Sequence, residues 1–113
     1  MVQHDGAVCL QRALTAMGDK WSAVIVYCMR TQPTIRYSEL QRRTCGINPR
    51  TLSGKLDQLE SYGIVERVSV AGSSKKQYAL TDEGRGLVPV VLKLHAWRDA
   101  FHPPAAVQQK ISK

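Results

Sequence analysis

Residues 48–58, Asn-Pro-Arg-Thr-Leu-Ser-Gly-Lys-Leu-Asp-Gln, bring together side chains suited to reading a polyanion. A guanidinium such as Arg50 can donate two parallel N–H bonds to a guanine edge, the Thr51 methyl can meet a thymine methyl, and Ser53 and Lys55 can reach phosphate oxygens. Gly54, lying among them, permits close approach. Asn48 is a favoured N-cap and Pro49 is preset for the first helical position, while Gly63 suits the left-handed residue that ends a helix. The stretch 48–62 therefore reads as one helix of roughly four turns. Leu52, Leu56 and Leu59 recur at four and three residues and face inward, so the polar and basic side chains face outward or to the flanks.

Further candidate contacts flank this helix. Arg36, Ser38, Arg42 and Arg43 precede it, and Lys75 and Lys76 follow it. From Arg36 to Gln77 eight cations face four acids, which is more than half of the formal net charge of +7. For an isolated pair such as Arg42-Arg43 a solvated surface is the simpler reading. A capped helix with a basic outer face followed by a basic loop favours nucleic acid instead.

Other chemistry is harder to assemble. No serine, histidine and acid stand at recognisable spacing and no glycine-rich phosphate loop occurs, so an enzyme is not expected. His95 and His102 are seven residues apart and could face Cys9 or His4, but the spacing is too loose for a ligand set, and neither a metal nor another cofactor is expected. Cys9, Cys28 and Cys45 are an odd number without CxxC spacing, which reads as reduced thiols, with Cys28 in the core and Cys45 incidental in a turn. Trp21, Tyr27 and Trp97 lie in apolar helical stretches and read as packing residues rather than platforms for single-stranded RNA.

The surrounding elements follow from periodicity and punctuation. A helix is expected over 7–17, stopped by Gly18, and Asp19 caps a second, nearly all-apolar helix from Trp21 to Met29. Ile35-Arg-Tyr37 reads as a short strand, and Ser38 as the cap of a third helix ending near Arg43. The glycine-bearing connection 44–47 then leads into the helix described above. Beyond Gly63, the β-branched run 64–70 can pair with 76–80 across the turn 71–75. Thr81 caps a last helix reaching about Phe101, kinked at Pro89, before Pro103, Pro104 and a loose tail over 105–113. This order makes a single winged helix-turn-helix domain over residues 1–113, mainly α with a small β-hairpin.

The chain has 113 residues, enough for one core. The apolar runs 23–29 and 87–92 fall far short of a bilayer span, and the first six residues lack the pattern of a secretory signal, so no membrane partner and a cytoplasmic location are expected. Leu87, Val90, Val91, Leu94, Trp97 and Phe101 form an apolar stripe too large for a small domain to cover alone. A homodimer through the first and last helices, with Leu10, Leu14, Val91, Leu94, Trp97 and Phe101 at the interface, would bury it and set two reading helices apart.

Cys9, Gly18-Asp-Lys-Trp21, Tyr37-Ser-Glu-Leu40, Ile47-Asn-Pro-Arg-Thr-Leu52, Leu59-Glu-Ser-Tyr-Gly-Ile-Val-Glu-Arg67 and Tyr78-Ala-Leu-Thr-Asp-Glu-Gly84 follow one another in a recognisable register. In these the chain resembles the HxlR-type winged helix-turn-helix regulators, from Cys9 to Trp97. It departs from their pattern at Leu10, commonly proline, and in the tip 71–76. The resemblance implies a prokaryotic homodimer that binds double-stranded DNA with the Asn-Pro-Arg helix in the major groove. It also makes Cys9 a candidate redox sensor, against the plainer reading of a small apolar packing residue. The competing function is a winged helix used for protein contacts, with only non-specific DNA binding.

Overall fold

The computed structural model describes residues 6–72 and 75–101. His4, His102, the Pro103-Pro104 stop, the tail 105–113 and the wing-tip serines 73–74 lie outside the described residues. The elements run α1 (Gly6–Met17), α2 (Lys20–Met29), β1 (Ile35–Arg36), α3 (Tyr37–Arg43), α4 (Pro49–Ser61), β2 (Val65–Val68), β3 (Gln77–Leu80) and α5 (Asp82–Phe101).

Helix α2 is the pillar of the core. Asp19 caps it as expected, its carboxylate accepting from the Trp21 amide at 2.9 Å and the Ser22 amide at 3.2 Å. Ile25, Val26 and Met29 are buried, and none of the other residues from Trp21 to Met29 is fully exposed. Around them close Leu40 of α3, Ile47, Leu52, Leu56 and Leu59, the sheet residues Ile64, Val65, Tyr78 and Leu80, and Val91 of α5. Val91 therefore leaves the expected dimer face. It is 8% exposed because α5 packs against α2, which turns this position inward.

The sheet is antiparallel in the order β1-β3-β2, with Val65 opposite Leu80, Val68 opposite Gln77 and Ile35 opposite Tyr78. All four residues of the central strand are buried. Buried Gln77 accepts from the Thr34 hydroxyl at 2.8 Å, so its burial leaves no unmet acceptor there. Both hairpin strands are shorter than the sequence pattern indicates, so residues 69–72 and 75–76 of the wing lie outside them.

The third helix corrects two expectations. Tyr37 opens the helix rather than closing the strand, and the cap is Arg36, extended and without a side-chain cap bond, so Ser38 is an exposed first-turn residue. The physical cause is the sheet: pairing of Ile35 and Arg36 with Tyr78 and Gln77 ends at Arg36, and Tyr37 then packs on the core.

The joint between wing and α5 is tight. Thr81 donates its hydroxyl to the Gly63 carbonyl at 2.6 Å and accepts the Gly84 amide at 3.0 Å, capping α5 while holding it to the end of α4. A Cβ on Gly84 would fall 2.2 Å from the Ile64 carbonyl oxygen, whereas one on Gly86 would meet nothing within 4 Å. Gly84→Ala is accordingly expected to cost about 1–3 kcal/mol by overpacking. Gly86→Ala should stabilise the helix by roughly 0.5–1 kcal/mol. Urea titrations at one protein concentration separate the two, and equal midpoints would contradict this packing.

Candidate nucleic-acid interface

Helix α4 is fixed at both ends by its own sequence. Asn48 Oδ1 accepts the Arg50 amide at 2.8 Å and the Thr51 amide at 3.4 Å. At the other end Gly63, at φ +78°, donates to the Glu60 carbonyl at 3.0 Å, and Ile64 donates to the Leu59 carbonyl at 2.9 Å. These two bonds are the Schellman pattern, in which a glycine takes the left-handed residue. Leu52, Leu56 and Leu59 point into the core at 0–1% exposure. Arg50, Ser53 and Gly54 are exposed, while Thr51 and Lys55 are half-buried on the flanks.

The turn before α4 is left-handed at two successive residues, Cys45 at φ +58° and Gly46 at φ +96°. Buried Thr44 donates its hydroxyl to the Gln41 carbonyl at 2.8 Å, and Gln41 Nε2 donates to the Ile47 carbonyl at 3.5 Å. A second link crosses the turn. The Tyr37 hydroxyl donates to the Pro49 carbonyl at 2.7 Å and lies 3.0 Å from Ser53 Oγ. With the phenolic proton used on Pro49, the Ser53 hydroxyl must donate to Tyr37, which leaves Ser53 an acceptor on its outward side. Tyr37 thus sets the position of the helix. Nothing local in the sequence pairs it with Pro49, twelve residues on.

The expected cations divide into two groups. Arg42 pairs with Glu39, and Arg43 Nε pairs with the other Glu39 oxygen at 2.8 Å. Those acid-base spacings of three and four were readable from the helix pattern. Lys55 turns back to Asp19 at 3.2 Å. Arg67 of β2 reaches Asp57 at 2.9 Å and Glu60 at 3.0 Å, tying the wing to α4. Among the described residues no acid pairs with Arg36 or Arg50, both exposed. Lys75 and Lys76 are exposed at the base of the wing. Gly54 has nothing within 4 Å of a built Cβ, so the fold itself does not require glycine there.

The remaining candidates lie elsewhere. Cys9 is exposed on α1, so packing in its own protomer does not account for it. Leu10, Leu14, Leu94, Trp97 and Phe101 are between 52% and 67% exposed, joined by Val8, Val90 and Leu92. His95 stacks on Tyr27 with ring centroids 5.8 Å apart. No helix among the described residues is long and apolar enough to cross a membrane.

A helix, a left-handed turn and a capped outward-facing helix, entered from one strand and followed by two more of the same three-stranded sheet, define a winged helix-turn-helix protein. The profile of the HxlR-like helix-turn-helix proteins matches residues 16–106, and the chain belongs to that family of DNA-binding transcription regulators. An HTH-type transcriptional regulator of Halalkalibacterium halodurans is 36% identical over 85 residues, 74% of this chain and 75% of that one. Among solved structures, the redox regulator HypR in its reduced form superposes with a TM-score of 0.73 at 33% identity, covering 80% of this chain and 90% of that one. Diamide-treated YodB from B. subtilis gives a TM-score of 0.67 at 28% identity, covering 80% and 90%.

The Lys55–Asp19 pair has a pH signature. Burial alone would raise the Asp19 carboxyl, but hydrogen bonds from the Ser22 hydroxyl, the Trp21 amide and Lys55 hold it below its ordinary value. A carboxylate depressed in the folded state adds stability above its unfolded pKa of about 3.9, and loses it as pH falls through the folded value. Asp19→Asn keeps a capping oxygen and removes the charge. The parent is expected to exceed it by up to about 1 kcal/mol near neutral pH, with the gap closing below about pH 4. A constant gap across that range would remove the charge from the account.

Proposed function

We propose that the protein is a sequence-specific, double-stranded DNA-binding transcription regulator that works as a homodimer, with α4 in the major groove and the wing on the backbone or minor groove. The observation that carries this reading is the outer face of α4. With its leucines locked inward, the helix offers Arg50 without an acid partner, the acceptor side of Ser53, and a glycine that no neighbour in the chain demands. Gly54 in a helix interior costs roughly 0.5–1 kcal/mol relative to alanine, and close approach of a groove wall would explain why it stands there. Arg50 reads a base edge, and Thr51 and Ser53 contact neighbouring bases or phosphates. Arg36, Ser38, Arg42, Arg43, Lys75 and Lys76 contact the backbone, Arg42 and Arg43 at the cost of sharing their charge with Glu39. Lys55 serves chiefly to brace α4 on α2.

The homodimer is supported by the exposed apolar residues of α1 and the second half of α5, where Trp97 and Phe101 rings meet 6.0 Å apart at the protomer surface. A second copy would cover both helices about a two-fold axis and space two α4 helices for adjacent major-groove segments. Cys9 lies on the same helix, α1, and is exposed. HypR is described as a redox regulator, and YodB has been solved diamide-treated and quinone-bound, so Cys9 is the thiol through which this face would respond.

Duplexes selected from a random pool test the reading. Arg50→Ala should lose about 1–3 kcal/mol on the selected sequence and relax its base preference. Changing Lys75 and Lys76 to alanine should instead weaken all duplexes alike and flatten the salt dependence by up to about two units of slope. Light scattering should give two chains for the parent, and a charged residue at Leu94 should lower both association and affinity. Parent-like binding by the Arg50 variant would overturn the groove assignment.

A further inference from the structure

Two thiols from different elements converge on one oxygen. Cys28, in α2, directs Sγ at the Arg43 carbonyl at 3.5 Å, and Cys45, two residues beyond Arg43, directs its own Sγ at the same oxygen at 3.8 Å. The sulfurs can be no further apart than those two distances combined. Their settings differ. Cys28 is half-buried beside the core, and burial first, then the nearby Cys45, pushes its thiol pKa up, against the opposing pull of Arg43 and Arg30. Cys45 is exposed in a left-handed turn, at a backbone angle that a side-chain-bearing residue rarely adopts. Gly46, which follows, has nothing within 4 Å of a built Cβ, so there is open space beside Cys45 although Thr44 and Ile47 on either side are buried.

We propose that Cys28 and Cys45 form a dithiol modification site that a hydroperoxide closes to an intrachain disulfide, clamping the turn before α4 onto α2. Cys45 is the solvent-facing sulfur and attacks first. As the thiolate it takes the outer peroxide oxygen, the O–O bond breaks, and the departing alkoxide collects the Cys45 proton to leave as an alcohol. Cys45 is then a sulfenic acid. The Cys28 sulfur attacks the Cys45 sulfur, the S–O bond breaks, and the departing hydroxide takes the Cys28 proton and leaves as water. Two thiols and one hydroperoxide thus give one disulfide, one alcohol and one water, with the thiols oxidised by two electrons and the peroxide reduced.

An S–S bond of about 2.0 Å leaves no place for two separate thiols on the Arg43 carbonyl, so Cys45 must be drawn toward α2. The displacement falls in the connection that sets the first turn of α4, three residues before Asn48. Where α4 reads DNA as proposed above, the oxidised form reads it less well. The disulfide itself does not depend on that reading. It is also distinct from Cys9, which lies on α1.

The experiment uses the full chain carrying Cys9→Ser, so that Cys28 and Cys45 are the remaining thiols, treated with tert-butyl hydroperoxide and digested without reduction. The expected product is a peptide pair joined through Cys28 and Cys45, in a protein that migrates as one chain on a non-reducing gel and reverts with dithiothreitol. Amide exchange over residues 44–50 should differ between the two forms, independently of any DNA. An interchain cross-link, a Cys45 sulfinic acid without a partner, or unreacted thiols would overturn the site, and unchanged exchange over 44–50 would overturn the clamp. A tenfold or greater loss of duplex affinity on oxidation is expected in addition. If the reduced chain binds no duplex, the functional reading fails while the peptide and exchange measurements still decide the disulfide.

Discussion

Burial of Leu52, Leu56 and Leu59 is the constraint on which the rest of the molecule depends. Each is removed from water almost completely, at about 1.5–3 kcal/mol apiece, so the helix cannot turn on its axis without forfeiting several kcal/mol. The 3.6-residue repeat then leaves no freedom in what faces out: with those leucines inside, Arg50, Ser53 and Gly54 must look outward. Asn48 and Gly63 set where the helix begins and ends, and Tyr37, Lys55 and Arg67 fix it to α3, α2 and β2 in turn. A reading surface needs this kind of rigidity, because a side chain on a loosely held helix discriminates poorly between bases.

Charge is distributed by the same logic. The excess of cations that makes the chain a polyanion binder does not sit uniformly on the interface, since Arg42, Arg43, Lys55 and Arg67 each meet an acid within the fold. These pairs are at or near the surface and add little stability singly. What they do is orient elements against one another and keep cationic side chains in known places. Among the described residues Arg36, which precedes α3, and Arg50, in the first turn of α4, are two exposed cations that meet no acid and so keep their guanidinium donors unshared.

Much of this was legible from residue types alone, because helix ends are written locally. Asp19, Asn48, Pro49, Gly63 and Thr81 all act where capping chemistry places them. Residue types mislead where a distant partner decides. Ser38 has the chemistry of a cap, but pairing in the sheet starts the helix two residues early. Val91 lies on the apolar stripe of α5, yet the angle at which α5 meets α2 turns it into the core, and no periodicity encodes that angle. Lys55 reads as an outward cation until Asp19, thirty-six residues earlier, is brought beside it. The convergence of Cys28 and Cys45 is of the same kind, since neither spacing nor composition joins an apolar helix to a turn.

The apolar faces of α1 and the second half of α5 stand apart from this machinery, on elements that contribute little to the core of one protomer. Two roles therefore separate: one set of helices holds α4 still, another leaves its apolar side chains exposed. The most direct measurement of the central claim is an amide chemical-shift titration of the uniformly labelled protein with a selected duplex. The account predicts the largest shifts at residues 50–54 and at Lys75 and Lys76, with small changes along the second half of α5. Shifts concentrated on α1 and α5, with α4 unmoved at saturating duplex, would contradict it.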